Sequence, residues 1–128
     1  MIRGGVATVY VSDLDRAVEF YTGVLELRLH VRAGDHWAAI DAGDGFLIGL
    51  HPKSEHGPEP GARGAISVGL NVTDSLDAVV ARLEAHGVRF RGPIQGDPAA
   101  PIRLAFFGDP DGNDLYLCES GSSHDEGD

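Results

Sequence analysis

Two stretches of the chain alternate apolar with polar or small side chains and then switch at once to helical spacing. The first runs Val6-Ala7-Thr8-Val9-Tyr10-Val11 and leads to the stripe Leu14, Ala17, Val18, Tyr21 and Leu25. The second runs Ser67-Val68-Gly69-Leu70-Asn71-Val72 and leads to Leu76, Val79, Val80 and Leu83. A period of two followed by a period near 3.6 predicts strand then helix, the helix covering one face of the strand. Ser12 with Asp15, and Asp74 with Asp77, are spaced to accept first-turn N–H groups and mark the two helix starts. Gly87 ends the second helix, where a left-handed residue is commonly required.

The two stretches are copies of one pattern. Val9-Tyr10-Val11-Ser12-Asp13 matches Leu70-Asn71-Val72-Thr73-Asp74 at an offset of 61 (70 − 9). Asp44-Gly45 before Phe46-Leu47-Ile48-Gly49-Leu50 matches Asp111-Gly112 before Asn113-Asp114-Leu115-Tyr116-Leu117 at an offset of 67 (111 − 44). The growth in offset puts about six extra residues into the second copy, in the loop-like Gly96-Asp97-Pro98-Ala99-Ala100-Pro101. Each copy reads β-α-β-β-β, with strands near 5–11, 27–33, 36–42 and 45–51, then near 65–72, 88–94, 102–108 and 113–119. The expected fold is α+β, two βαβββ modules forming open, cupped mixed sheets within one domain over 1–119. Module one is 1–51, a Pro- and Gly-rich linker 52–64, module two 65–119, and the tail 120–128 is expected to be disordered.

Parity sorts each strand into two faces. Ala7, Val9 and Val11, with Ile48 and Leu50, suit a helix-covered face, leaving Val6, Thr8, Tyr10, Leu47, Gly49 and His51 opposite. In the second copy Val68, Leu70, Leu115 and Leu117 suit the helix, leaving Ser67, Gly69, Asn71, Asp114, Tyr116 and Cys118. A face of small, polar and aromatic residues either meets solvent or lines a small-ligand site.

Composition narrows the partners. The 128 residues are 42% apolar, with no apolar run near the roughly 18 residues of a membrane span. The opening Met1-Ile2-Arg3-Gly4-Gly5 lacks a signal-peptide pattern, so a cytoplasmic location is expected. A net charge of −10 argues against nucleic acid and anionic membranes and favours a cationic ligand, if the ligand is charged. The single cysteine, Cys118, excludes an internal disulfide.

The repeated unit, the opening Val9-Tyr10-Val11-Ser12-Asp13-Leu14-Asp15-Arg16-Ala17-Val18-Glu19-Phe20-Tyr21 and the turn Phe107-Gly108-Asp109-Pro110-Asp111-Gly112-Asn113 resemble the vicinal oxygen chelate superfamily. That family embraces glyoxalases, bleomycin-resistance proteins and extradiol dioxygenases, and the resemblance covers residues 1–119. It implies the glyoxalase/bleomycin-resistance fold and a homodimer. It also implies that a divalent metal, in members that use one, is held by His, Glu or Gln at four inward strand positions. Here those positions carry Val6, Gly49, Ser67 and Tyr116. Val and Gly have no donor atom, Ser is a weak neutral one, and a phenol must first lose its proton. No metal and no cofactor are therefore expected. His51 falls two residues past Gly49 on the same face, better placed than His30, His36 or His56 to reach the cavity. His86 reads as a cation at a helix C-terminus.

The ligand-binding candidates are Tyr10, Trp37, Phe46, His51, Asn71, Arg103, Phe107 and Tyr116. The aromatic rings offer stackable surface, and Arg103 could clamp a carboxylate or stand as an edge charge. No phosphate-cradling loop or Gly-x-Ser-x-Gly elbow occurs, and nothing activates Cys118. Asp109 and Asp111 belong to a turn. The expected function is metal-independent binding of a small organic molecule in the cleft between the modules, as in bleomycin resistance. The ligand would be an aromatic or cationic natural product or antibiotic. Two alternatives stand beside it. One is a glyoxalase-like lyase, isomerase or dioxygenase, using a divalent metal or Tyr10, Tyr116 or His51 as proton carrier. The other is an association module with a collapsed cleft, which Gly49 and Gly69 disfavour because small residues are expected to leave room.

Overall fold

The computed structural model describes Met1 and residues 5–55, 57–62 and 66–120. Both strand-to-helix switches are present. The elements are β1 (Gly5–Val11), α1 (Leu14–Glu19) running into a π-helical turn (Phe20–Val24), β2 (Arg28–Ala33), β3 (Trp37–Asp41) and β4 (Phe46–Pro52). After the linker come β5 (Ser67–Asn71), α2 (Leu76–Ala85), β6 (Ile102–Gly108) and β7 (Asp114–Ser120). They form two mixed sheets, of order β1-β4-β3-β2 and β5-β7-β6, giving the α+β class that the repeat predicts. In each copy the strand before the helix runs parallel to the last strand, and the remaining pairs are antiparallel.

The residues group into two compact units. The first is Met1–Ile66 with the turn Asp109–Asn113; the second is Ser67–Gly108 with the chain from Asp114 onward. In the first, Val9, Val11, Ile48, Leu50, Ala38 and Ile40 are buried with Leu14, Ala17 and Tyr21. In the second, Val68, Ala105, Phe107, Leu115 and Leu117 are buried, as are Leu76, Leu83 and Val88. The faces sort by parity, because alternate side chains must share a side of a strand. Tyr21 extends the first helical stripe into a widened turn, where the Leu25 N–H donates to the Phe20 carbonyl at 3.0 Å.

Three local expectations need correction. The helix caps are Asp13 and Ser75, whose side chains accept from the N–H groups of Arg16 (3.1 Å) and Ala78 (3.2 Å). Each stands one residue after the expected cap because Leu14 and Leu76 are the first helical residues and the cap must directly precede them. Ser12 is engaged elsewhere, its hydroxyl donating to Asp111 at 2.5 Å. The strand expected near 88–94 does not form. Arg91 donates to the Phe106 carbonyl and Gln95 exchanges bonds with Leu104, but between them Gly92 is left-handed (φ +90) and Pro93 has no N–H to give. In β2, His30 is an extra residue opposite the Ile40–Ala39 step, a bulge that reverses parity along the strand. Gly87 (φ +93) follows α2 as expected. The tail beyond Ser120 and the position of His56 lie outside the described residues. Among the described residues no helix is long and apolar enough to cross a membrane.

Candidate functional site

In the first unit, register decides which side chains share the face turned away from α1. Thr8 pairs with Gly49, Tyr10 with His51, and Ala39 with Gly49 across the other edge of β4. Trp37, two residues before Ala39, therefore stands on that same face. Its indole lies over Gly49: a Cβ there would sit 2.8 Å from Cζ3 of Trp37 and 2.9 Å from the Thr8 hydroxyl oxygen. The Tyr10 and His51 rings are tilted neighbours with centroids 4.9 Å apart. Nδ1 of His51 lies 2.7 Å from the Pro52 carbonyl. A carbonyl only accepts, so Nδ1 carries the proton and the neutral ring keeps its lone pair on Nε2. Trp37, Tyr10 and His51 are all half-buried, so this face carries three rings partly open to solvent.

Beside this face the linker residues 57–62 form a strap. Gly57 rests against the Tyr10 ring, where a Cβ would come within 2.9 Å of Cε2. Asn113 holds the strap to β1. Its amide nitrogen donates to the Tyr10 carbonyl and to Asp109, both at 2.9 Å, and its oxygen accepts from the Gly61 N–H at 3.0 Å. Gly61 is left-handed (φ +80), and a Cβ on it would collide with the Asp111 carbonyl. Asp109, itself buried, also accepts from the Tyr21 hydroxyl (2.9 Å) and from the N–H groups of Asp111 (3.0 Å) and Asn113 (2.9 Å). Burial, and then the Asp109 charge, push the Tyr21 hydroxyl pKa well above its ordinary value. Between strap and strand lies a cavity of about 220 Å³ lined by Thr8, Val9, Tyr10, Pro58, Glu59, Ala62, Ile66 and Asn113.

The second unit has its own inward face. The Tyr116 ring covers Gly69, its partner across the β5–β7 pair, and packs on Phe106 with centroids 5.4 Å apart. Asn71 is exposed at the end of β5, opposite the half-buried Cys118. Arg91 pairs with Asp114.

Of the sequence-derived candidates, Tyr10, Trp37 and His51 come together in the first unit, and Asn71 and Tyr116 share a face in the second. Three stand elsewhere. Phe107 is fully buried against Phe90, with ring centroids 5.2 Å apart. Phe46 alternates with Ile48 and Leu50 on the helix-facing side of β4. Arg103 is 8% exposed and already paired, donating to Asp77 (3.3 Å), Glu119 (3.1 Å) and the Gly96 carbonyl (3.3 Å). The Asp77 hydrogen bond raises its pKa, against desolvation and with help from Glu119. Its guanidinium is thus committed to the protein, which removes the carboxylate clamp. The expectation that Gly49 and Gly69 leave open room is also corrected, since each accommodates an aromatic ring of the chain itself. Thr8, Glu59, Ile66 and Asn113 were missed. Thr8 was legible from parity, but Asn113 reaches Tyr10 across 103 residues of sequence and left no local signal.

The residues do not fit a divalent metal. Val6 and Gly49 in the first unit offer no donor, and Ser67 and Tyr116 in the second offer one alcohol and one phenol. Among the described residues no three His, Cys, Asp or Glu side chains gather around a common point.

The family model described as the Glyoxalase/Bleomycin resistance protein/Dioxygenase superfamily matches residues 5–117. The chain is 33% identical over 119 residues to Uncharacterized protein YaeR of Escherichia coli (strain K12), covering 87% of this chain and 91% of that one. It superposes on TnmS3, an antibiotic binding protein from Streptomyces sp. CB03234, with a TM-score of 0.75 and 30% identity over 94% of this chain and 98% of the other. A glyoxalase/bleomycin resistance protein from the same organism gives a TM-score of 0.70 and 31% identity, covering 90% and 98%.

Proposed function

Because the chain belongs to the Glyoxalase/Bleomycin resistance protein/Dioxygenase superfamily, we propose that it binds and sequesters a flat aromatic small molecule without a metal, on the face bearing Tyr10, Trp37 and His51. One observation carries this reading. At Gly49, where the resemblance puts a metal ligand, the protein presents the Trp37 indole. An indole coordinates nothing but stacks well, and half-exposed rings with a few polar atoms are the makeup of a small-ligand site. Nε2 of His51 and the Tyr10 hydroxyl, which has no partner among the described residues, supply that polarity. The likeness to an antibiotic binding protein supports a natural product as ligand. The reading includes a homodimer, the state that the resemblance implies, and a cytoplasmic location. Sequestration protects by lowering free ligand, with no bond made or broken.

The fixed tautomer of His51 favours a second reading, metal-free acid–base catalysis with Nε2 as the proton acceptor. One experiment separates the two. Trp37 is the only tryptophan, so its fluorescence is titrated with a panel of polycyclic aromatic antibiotics, and the ligand is recovered for mass analysis. Binding predicts saturable quenching, intact ligand, and, read by calorimetry because the variant has lost its fluorophore, affinity reduced by at least about tenfold in Trp37→Ala. A converted product would establish the second reading. Silence across the panel, or a stoichiometric divalent ion in the purified protein, would refute the first. Native mass spectrometry of the same sample reports the number of chains.

A further inference from the structure

Resting on the reading above, we infer that the cavity under the strap takes an ammonium group, so that the ligand is an aromatic ring system carrying a basic amine. Size comes first. At about 220 Å³ the cavity is smaller than the roughly 300–1,000 Å³ that encloses a drug-sized molecule, so it holds one substituent while the rings lie on the face bearing Trp37. Tyr10 belongs to both places, lining the cavity and packing on His51.

The polar atoms then select the substituent. Among the described lining residues Asn113 is the only side chain with N–H donors, and both are used within the protein, on the Tyr10 carbonyl and Asp109. What remains accepts. The Thr8 and Tyr10 hydroxyls have no partner among the described residues and can take a hydrogen bond as readily as give one. Among the described residues Glu59 is the only charged one in the lining, and an anionic substituent would be repelled by it. A substituent with several N–H donors and a positive charge satisfies all three, and the Tyr10 ring adds a cation–π attraction.

Lys53 now rests where that cation would act. Its ammonium sits 2.9 Å from Oε2 of Glu59, leaving Oε1 without a partner among the described residues. The two side chains are 56% and 70% exposed, so the pair is a surface one, readily exchanged for a cation delivered from the cavity side. Lys53 is thereby a competitor of the ligand, and removing it strengthens binding.

The test uses monodansylcadaverine, a naphthalene ring joined to an alkylammonium, and its neutral N-acetyl derivative. Binding is read as energy transfer from Trp37. The ammonium dye is expected to bind about fivefold tighter than the acetylated one. Glu59→Gln should abolish that preference without changing affinity for the neutral dye, and Lys53→Met should tighten the ammonium dye by about twofold. Equal binding of both dyes, unaltered by Glu59→Gln, overturns the ammonium site and leaves the aromatic face standing. If neither dye accepts energy from Trp37 at any concentration, aromatic face and ammonium site fall together.

Discussion

The two units answer the same architectural demand with opposite chemistry. Each must fasten a short helical segment through polar atoms beside an apolar core. The first uses a neutral donor: the Tyr21 hydroxyl points into Asp109, which also gathers Asn113 and two backbone N–H groups. The second uses a cation: Arg103 on β6 lies between Asp77 on α2 and Glu119 on β7, and Glu119 also accepts from the first N–H of α2 at 2.9 Å. The comparison teaches where each unit is brittle. A buried carboxylate shared by four donors cannot be replaced by water one bond at a time, whereas Asp77 is 67% exposed and can be hydrated. A similar contrast separates the covered glycines. Gly49 is buried in the middle of a four-stranded sheet, hemmed by Trp37 and Thr8, while Gly69 is half-buried with the Tyr116 side chain as its nearest neighbour.

The largest expected effect is therefore that of Asp109→Ala, which strands the Tyr21 hydroxyl and one of the two Asn113 side-chain N–H groups without an acceptor. It should cost about 4 kcal/mol in urea unfolding, and a loss below about 1 kcal/mol would show that the network is not cooperative. Next come the glycines. Gly49→Ala should cost about 3 kcal/mol and alter Trp37 fluorescence, Gly69→Ala about 1 kcal/mol with the fluorescence unchanged. Equal costs would erase the distinction between the two faces.

Tyr21→Phe should cost about 2 kcal/mol at neutral pH, the worth of a buried hydrogen bond to a charged acceptor. Its pH dependence has a definite sign. The folded-state pKa is raised above the ordinary 10.0, so the unfolded chain ionises first as pH rises. Above about pH 10 the folded state holds the proton that the unfolded state has lost, and stability falls by up to about 1.4 kcal/mol per pH unit. Tyr21→Phe lacks this component, so its stability deficit should shrink as pH rises beyond that point. A deficit constant through pH 11, roughly one unit past the free tyrosine value, would contradict the burial argument. Arg103→Met should be the mildest of the set, and its difference from the wild type should narrow in high salt, because screening weakens the partly exposed pair it replaces.

How much of this was legible depends on the range of each interaction. Parity along β1 and β4 put Tyr10 and His51 on one face without a structure, because strand alternation is strictly local. The same rule should have excluded Phe46, which shares parity with Ile48 and Leu50. Arg103 and Phe107 lie on β6 with alternate burial, but their side could not be read until β6 was paired with β7 and covered by α2. The missing strand near Gly92-Pro93 was readable from its breakers, and the repeat argued against them. Nothing local announced that Asn113 would clasp Gly61 and the Tyr10 carbonyl.

From its residues alone the chain determined two copies of one unit, the helix-facing cores, the family and the loss of donors at Val6 and Gly49, since periodicity and side-chain chemistry travel with the sequence. Only the tertiary structure decided that the glycines lie beneath rings, that Arg103 is already paired, and that a strap borders an open pocket beside Tyr10. Those outcomes rest on contacts between segments far apart in the chain, where shape and hydrogen-bond geometry, not local preference, choose the partners.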